Sequence, residues 1–133
     1  MSAGRSSRSP DGDTAGRRKA YAWGLSAEIR AAWYLRLKGY RILARRYKVV
    51  RGEIDLIARR GRTIAFVEVK ARPSEDAALE AVTWRARRRI EAAALAWGAA
   101  NPAYADHDWR FDIVAILPGR WPRHVVDAYR SGE

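Results

Sequence analysis

No cysteine occurs among the 133 residues, and histidine appears only twice. Disulfide staples, thiolate nucleophiles and cysteine-bearing zinc sites are therefore excluded. No apolar run approaches the ~20 residues that a helix needs to cross a bilayer, and no signal-peptide core follows the start. A cytoplasmic location and no membrane partner are the expectation. A glycine-rich phosphate loop, an internal repeat and a coiled-coil heptad pattern are also missing. Acidic residues are outnumbered, with 15 Asp plus Glu against 26 Lys plus Arg and a net charge of +11. That balance suits a chain that meets a polyanion, and favours nucleic acid over an anionic membrane surface or an acidic protein. Lysine is scarce, 4 against 22 arginines. The planar arginine fork suits bidentate phosphate contact, although the codon bias of a GC-rich genome gives the same excess. A chain of 133 residues makes one domain, so a large substrate must lie across its surface.

Residues 1–20 hold Ser, Gly and Arg with almost no large apolar side chain and read as a disordered basic arm, leaving a single domain over 21–133. From Leu25 to Lys38 the spacing of Leu25, Ile29, Ala32, Trp33 and Leu35 predicts an amphipathic helix with those residues inward, ended by Gly39. Arg41 to Val50 reads as a first strand, with Arg45, Arg46 and Lys48 as phosphate contacts or plain edge-strand charges. Asp76 to Ala99 reads as one helix with Leu79, Val82, Ile90, Ala94 and Trp97 inward. Its basic run Trp84 to Arg89 flanks a nucleic-acid groove or is a solvated face, and Trp84 is a stacking surface or a core residue. Strands follow at Trp109 to Leu117 and Val125 to Tyr129. Asp112 is expected to pair with an arginine or secure the sheet edge, and His107 and His124 to stand outside any site. Helix, three strands, helix, strand and short final strand define an α/β fold with a mixed central sheet flanked by helices.

The chemistry concentrates in Gly52-Glu53-Ile54-Asp55-Leu56-Ile57 and Phe66-Val67-Glu68-Val69-Lys70, separated by the basic turn Arg59-Arg60-Gly61-Arg62. Alternation and the turn glycine predict a β-hairpin. Period two puts Glu68 and Lys70 on one face, and an even connecting loop adds Asp55 to it. Ile57, Ile64 and Phe66 are expected on that acidic side, and Ile54, Leu56, Ala65, Val67 and Val69 on the other. Opposed residues of a ladder lie ~5 Å apart and diagonal ones ~7 Å, so the two carboxylates can share one cation. Two buried like charges are costly unless a proton or metal compensates them. Oxygen-only ligands suit Mg²⁺ or Mn²⁺, ions that assist phosphodiester hydrolysis. The plain alternative is a same-face Glu68–Lys70 ion pair with Asp55 capping a turn.

These motifs resemble the PD-(D/E)-x-K nuclease superfamily and, more closely, the YraN family of predicted endonucleases, which are similar to archaeal Holliday-junction resolvases. The resemblance runs from Gly24-Leu25-Ser26-Ala27-Glu28 through Gly39 to Leu43, Gly52 to Ala58 and Val67 to Arg72, to Arg110-Phe111-Asp112-Ile113-Val114. It implies a restriction-endonuclease-like core, with Asp55 and Glu68 as Mg²⁺ ligands, Lys70 as the catalytic lysine and Glu28 as a further acid. The Val69 carbonyl completes the expected ligand set. Arg45, Arg46, Lys48, Arg72, Arg85 and Arg89 are the expected nucleic-acid contacts, with DNA as partner, branched or repair intermediates as candidate substrates, and a homodimer as the form a junction resolvase needs. Ile54 stands where the superfamily name has proline, and Ala86 where relatives commonly carry lysine. Two rivals remain open on the residues alone: a nucleic-acid-binding module with a degenerate acidic site, and a basic protein-interaction domain.

Overall fold

The computed structural model describes residues 26–132; the basic arm expected over 1–20 lies outside them. Helix α1 covers residues 26–37. Strands β1 (Arg41–Val49), β2 (Gly52–Arg60) and β3 (Thr63–Ala71) follow, then helices α2 (Glu75–Ala81) and α3 (Trp84–Ala100), a short 3₁₀ turn, and strands β4 (Asp108–Ile116) and β5 (Arg123–Tyr129). The sheet order is β1-β2-β3-β4-β5. Only the β3–β4 pair is parallel, because α2 and α3 carry the chain back between those strands. This is the expected mixed sheet flanked by helices, consistent with a restriction-endonuclease-like core.

Each sheet face has its own core. On one, Leu56, Ala58, Val67, Val69, Val114 and Ile116 pack under α1. On the other, Ile57, Ile64, Phe66 and Ile113 pack under α3, where Phe66 meets Trp97 edge-on at a ring separation of 5.8 Å. β3 is therefore covered on both sides and reads as a nearly continuous apolar run.

Three expectations need correction. The inward stripe of α1 is Ala27, Ala31, Ala32 and Leu35, whereas Ile29 is 45% and Trp33 60% exposed. Small residues let the helix lie close over the β-branched surface beneath it, and the bulky apolar side chains are turned outward. The expected single helix over 76–99 is two helices. Thr83 interrupts it by capping α3, its hydroxyl accepting a hydrogen bond from the Ala86 N–H at 3.1 Å, and the buried residues Val82, Ile90, Ala94 and Trp97 are as expected. Finally, Ile54 packs with Ile57 on the α3 side rather than with Leu56. Strand alternation thus breaks between Ile54 and Ile57, at Asp55.

Candidate functional site

The hairpin register brings the acidic residues together. Arg60 pairs with Thr63 across the two-residue turn Gly61-Arg62, where Gly61 takes φ 61, and the ladder runs back to Leu56 opposite Val67. One further step sets Asp55 opposite Glu68. There the ladder gives way: the Val69 N–H donates to the Asp55 carboxylate at 2.8 Å. On the outer side, β1 pairs Arg45 with Leu56 and Tyr47 with Ile54, so Arg46 faces Asp55, in a left-handed conformation with φ 52. A non-glycine residue rarely adopts that conformation, and distortions of this kind re-aim side chains beside sites. Gly52 adds a close approach, since a Cβ there would come within 1.8 Å of the Arg89 carbonyl oxygen on α3.

Electrostatics at this place are strained. The Glu68 side chain is 13% exposed, and its Oε2 lies 3.5 Å from Lys70 Nζ while its Oε1 is buried with no hydrogen-bond partner. Burial first, then the Asp55 carboxylate, push the Glu68 carboxyl up to about 8, outweighing the Lys70 ammonium. Glu28, from α1, approaches from the other side. Burial and then Asp55 raise its carboxyl above the usual range, opposed by Arg46, Arg45 and Lys48. Its Oε1 also has no hydrogen bond, and Arg46 Nε stands 3.9 Å away. Both acids therefore crowd Asp55 and leave oxygens unused, a donor set that fits a hard divalent cation. Among the described residues no group of three or more His, Cys, Asp or Glu side chains stands ready to enclose an ion. Asp55 and Glu68 are the paired donors, with Glu28 beside them.

The expected phosphate contacts lie on β1, just past β3 and on α3. Arg45, Arg46 and Lys48 lie exposed on edge strand β1, and Arg72 is exposed just past β3. Arg85 and Arg89 lie on the first turns of α3, with Arg89 Nη2 3.6 Å from Glu53. Trp84 is 61% exposed under the Arg88 guanidinium, 4.9 Å from its ring, so of its two readings the structure has the exposed one. Tyr129 and Arg87 were not anticipated. Arg87 sits 4.7 Å from the Tyr129 ring, and burial followed by the Glu68 charge raises the tyrosine hydroxyl.

Asp112 does pair with an arginine. Arg110 holds it with two hydrogen bonds at 2.9 and 2.7 Å, and the Asp127 N–H donates to it at 2.9 Å. His124, expected to be isolated, is instead buried in the same network: its Nε2 meets Asp112 at 2.8 Å and its Nδ1 meets Lys38 Nζ at 2.6 Å. Burial alone would raise the Asp112 carboxyl, but His124, Arg110 and the Asp127 amide hold it below the usual range. No spacing in the sequence signals this cluster, because its members come from β4, β5 and the turn that follows α1. It clamps β5 to β4 on the α1 side, apart from Glu68.

No helix among the described residues is long and apolar enough to cross a membrane. Comparison with known proteins identifies relatives along most of the chain. A UPF0102 protein of Chelativorans sp. (strain BNC1) is 57% identical over 115 residues, covering 86% of this chain and 93% of that protein. UPF0102 proteins of Parvibaculum lavamentivorans, 57% identical with 84% of each chain covered, and Methylorubrum extorquens, 54% identical over 90% and 94%, are similar too. The model of the uncharacterised protein family UPF0102 matches residues 27–116, a span holding Glu28, Asp55, Glu68 and Lys70. The chain belongs to the uncharacterised protein family UPF0102, the YraN-type family that its motifs resemble.

Proposed function

We propose that this protein is a metal-dependent nuclease that hydrolyses phosphodiester bonds of DNA in the cytoplasm. One observation carries the reading: two carboxyl groups, Asp55 and Glu68, are forced together in a doubly covered sheet beside a lysine, with a buried Glu68 oxygen left unpartnered. A purely structural role would favour an apolar pair here, because uncompensated buried charge costs several kcal/mol. Asp55 and Glu68 would hold Mg²⁺ or Mn²⁺, with Glu28 and the Val69 carbonyl as further donors. When bound, such an ion supplies Lewis-acid polarisation of a phosphoryl oxygen and charge compensation for the leaving group.

The chain's own groups divide the remaining work. The Val69 N–H fixes the Asp55 carboxylate through its 2.8 Å hydrogen bond, so the donor is oriented before any ligand arrives. Burial and the Asp55 charge favour the protonated form of Glu68, whose proton must leave before the carboxylate can act as a ligand. Lys70 Nζ, 3.5 Å from Glu68, lies where an ammonium can orient an attacking water or balance charge developing on the phosphate. Arginines on β1 and α3 grip backbone phosphates without reading sequence.

The test is cleavage of a labelled panel by wild type and Lys70→Ala with Mg²⁺ or Mn²⁺, covering single-stranded, duplex, flap and four-way-junction DNA, and RNA. Activity confined to the wild type supports the reading. Equal behaviour of the two proteins overturns it in favour of nucleic-acid binding without hydrolysis.

A further inference from the structure

Helix α1 turns an apolar stripe away from the sheet. Ile29, Trp33 and Leu37, four residues apart, are 45%, 60% and 73% exposed. Beside them stands Trp121, 75% exposed, on the loop joining β4 to β5. Trp33, Tyr34 and Trp121, with Arg30 and Arg120, line a cleft of about 480 Å³ that contains no acidic side chain among the described residues. The Arg36 guanidinium lies 5.1 Å from the Trp33 ring, and the Trp121 and Tyr34 rings are 6.3 Å apart.

The cleft shares Tyr34, Arg120 and Trp121 with a more polar hollow of about 830 Å³ that reaches Lys38 and Arg123. Its one carboxylate among the described residues, Glu75, is already matched by Arg123 at 2.9 Å. The second hollow reaches Pro73, Ser74, Leu117 and Pro118, just past the paired strand ends Ala71 and Ile116.

We propose that this double cleft is a binding site for an unpaired stretch of nucleic acid, one base stacking on the indoles of Trp121 and Trp33 while its phosphates meet Lys38 and Arg120 of the adjoining hollow. Exposed indoles flanked by guanidinium groups match the two recognition elements of single-strand binding, a π-face for the base and cations for the backbone. A duplex hides its base faces and uses only the cations. A second copy of this chain is the poorer occupant, since arginines would face arginines across a twofold contact on a protein of net charge +11. The inference rests on the nuclease reading for its substrate class and deepens it: the preferred substrate carries a single-stranded segment.

The experiment is metal-free fluorescence anisotropy with a labelled oligothymidylate and a blunt duplex, using wild type, Trp121→Ala, Trp33→Ala and Trp121→Phe. Both indoles are largely exposed, so the variants should fold, and far-UV circular dichroism checks this. Removing one stack should weaken oligothymidylate binding about tenfold, and Trp121→Phe should restore most of it. Duplex affinity should stay within about twofold, because its phosphate contacts persist. Loss of both affinities together, or of neither in both alanine variants, overturns the proposal. So does a wild-type dimer that Trp121→Ala converts to monomer with oligothymidylate affinity unchanged, which would make the cleft an interface between copies. A wild type that cleaves nothing yet shows tryptophan-dependent binding would refute the hydrolytic reading alone.

Discussion

Glu68→Gln should make the protein more stable at alkaline pH and leave it nearly unchanged in acid. In the folded chain burial and the Asp55 charge push the Glu68 carboxyl up to about 8, against 4.5 when unfolded. Between those values the folded state keeps a proton that the unfolded chain has released. Stability from this group is therefore fully present below pH 4.5 and is lost as pH rises toward 8. At ~1.36 kcal/mol per pH unit the ceiling is roughly 4–5 kcal/mol. Residual exposure of 13% reduces the realised effect, and about 2–3 kcal/mol is the working expectation. Glutamine copies the shape and neutrality of the protonated acid. Asp55, Lys70 and Tyr129, the groups facing Glu68, remain in both proteins. Urea unfolding with chelator present, at pH 5 and pH 8.5, should give matching stabilities at the lower pH and a more stable variant at the higher. A difference independent of pH, or one that grows in acid, refutes the reasoning.

Other perturbations reach other levels of the structure. Asp112→Ala strips Arg110 and His124 of a shared buried partner and should cost about 3–5 kcal/mol in denaturant unfolding. Because the Asp112 carboxyl is held low, its stabilisation is present at neutral pH and should fade as pH falls through the acidic range. Gly52→Ala drives a methyl group into the Arg89 carbonyl and should cost about 3 kcal/mol or more, read as a lowered Tm. Thr83→Ala removes the α3 cap at Ala86 and should cost about 1 kcal/mol by the same assay.

The hairpin was legible because its signals are local. Gly61 sets the turn, period two sets the faces, and together they bring Asp55 opposite Glu68 with Lys70 alongside. Ile54 escaped that logic, because alternation fails where Arg46 takes its left-handed conformation opposite Asp55, and no residue type announces the break. On α1 the error was one of size. Apolar bulk pointed to Ile29 and Trp33 as the buried stripe, whereas the sheet surface accepts Ala27, Ala31 and Ala32 and leaves the larger residues outside. Thr83 within an otherwise helical run was a readable capping signal, masked by the apolar spacing that continues through it from Val82 to Ile90. The Asp112–His124–Lys38 cluster was out of reach, since only the tertiary fold joins residues so far apart in the chain.

Calorimetric titration of the wild-type protein and Asp55→Ala with Mn²⁺ at pH 7, in two buffers of different ionisation enthalpy, tests the central claim most directly. The account predicts Mn²⁺ binding that depends on Asp55 and releases close to one proton per ion, the proton that Glu68 holds in the free protein. Absence of binding, binding that survives in Asp55→Ala, or binding without proton release would contradict it.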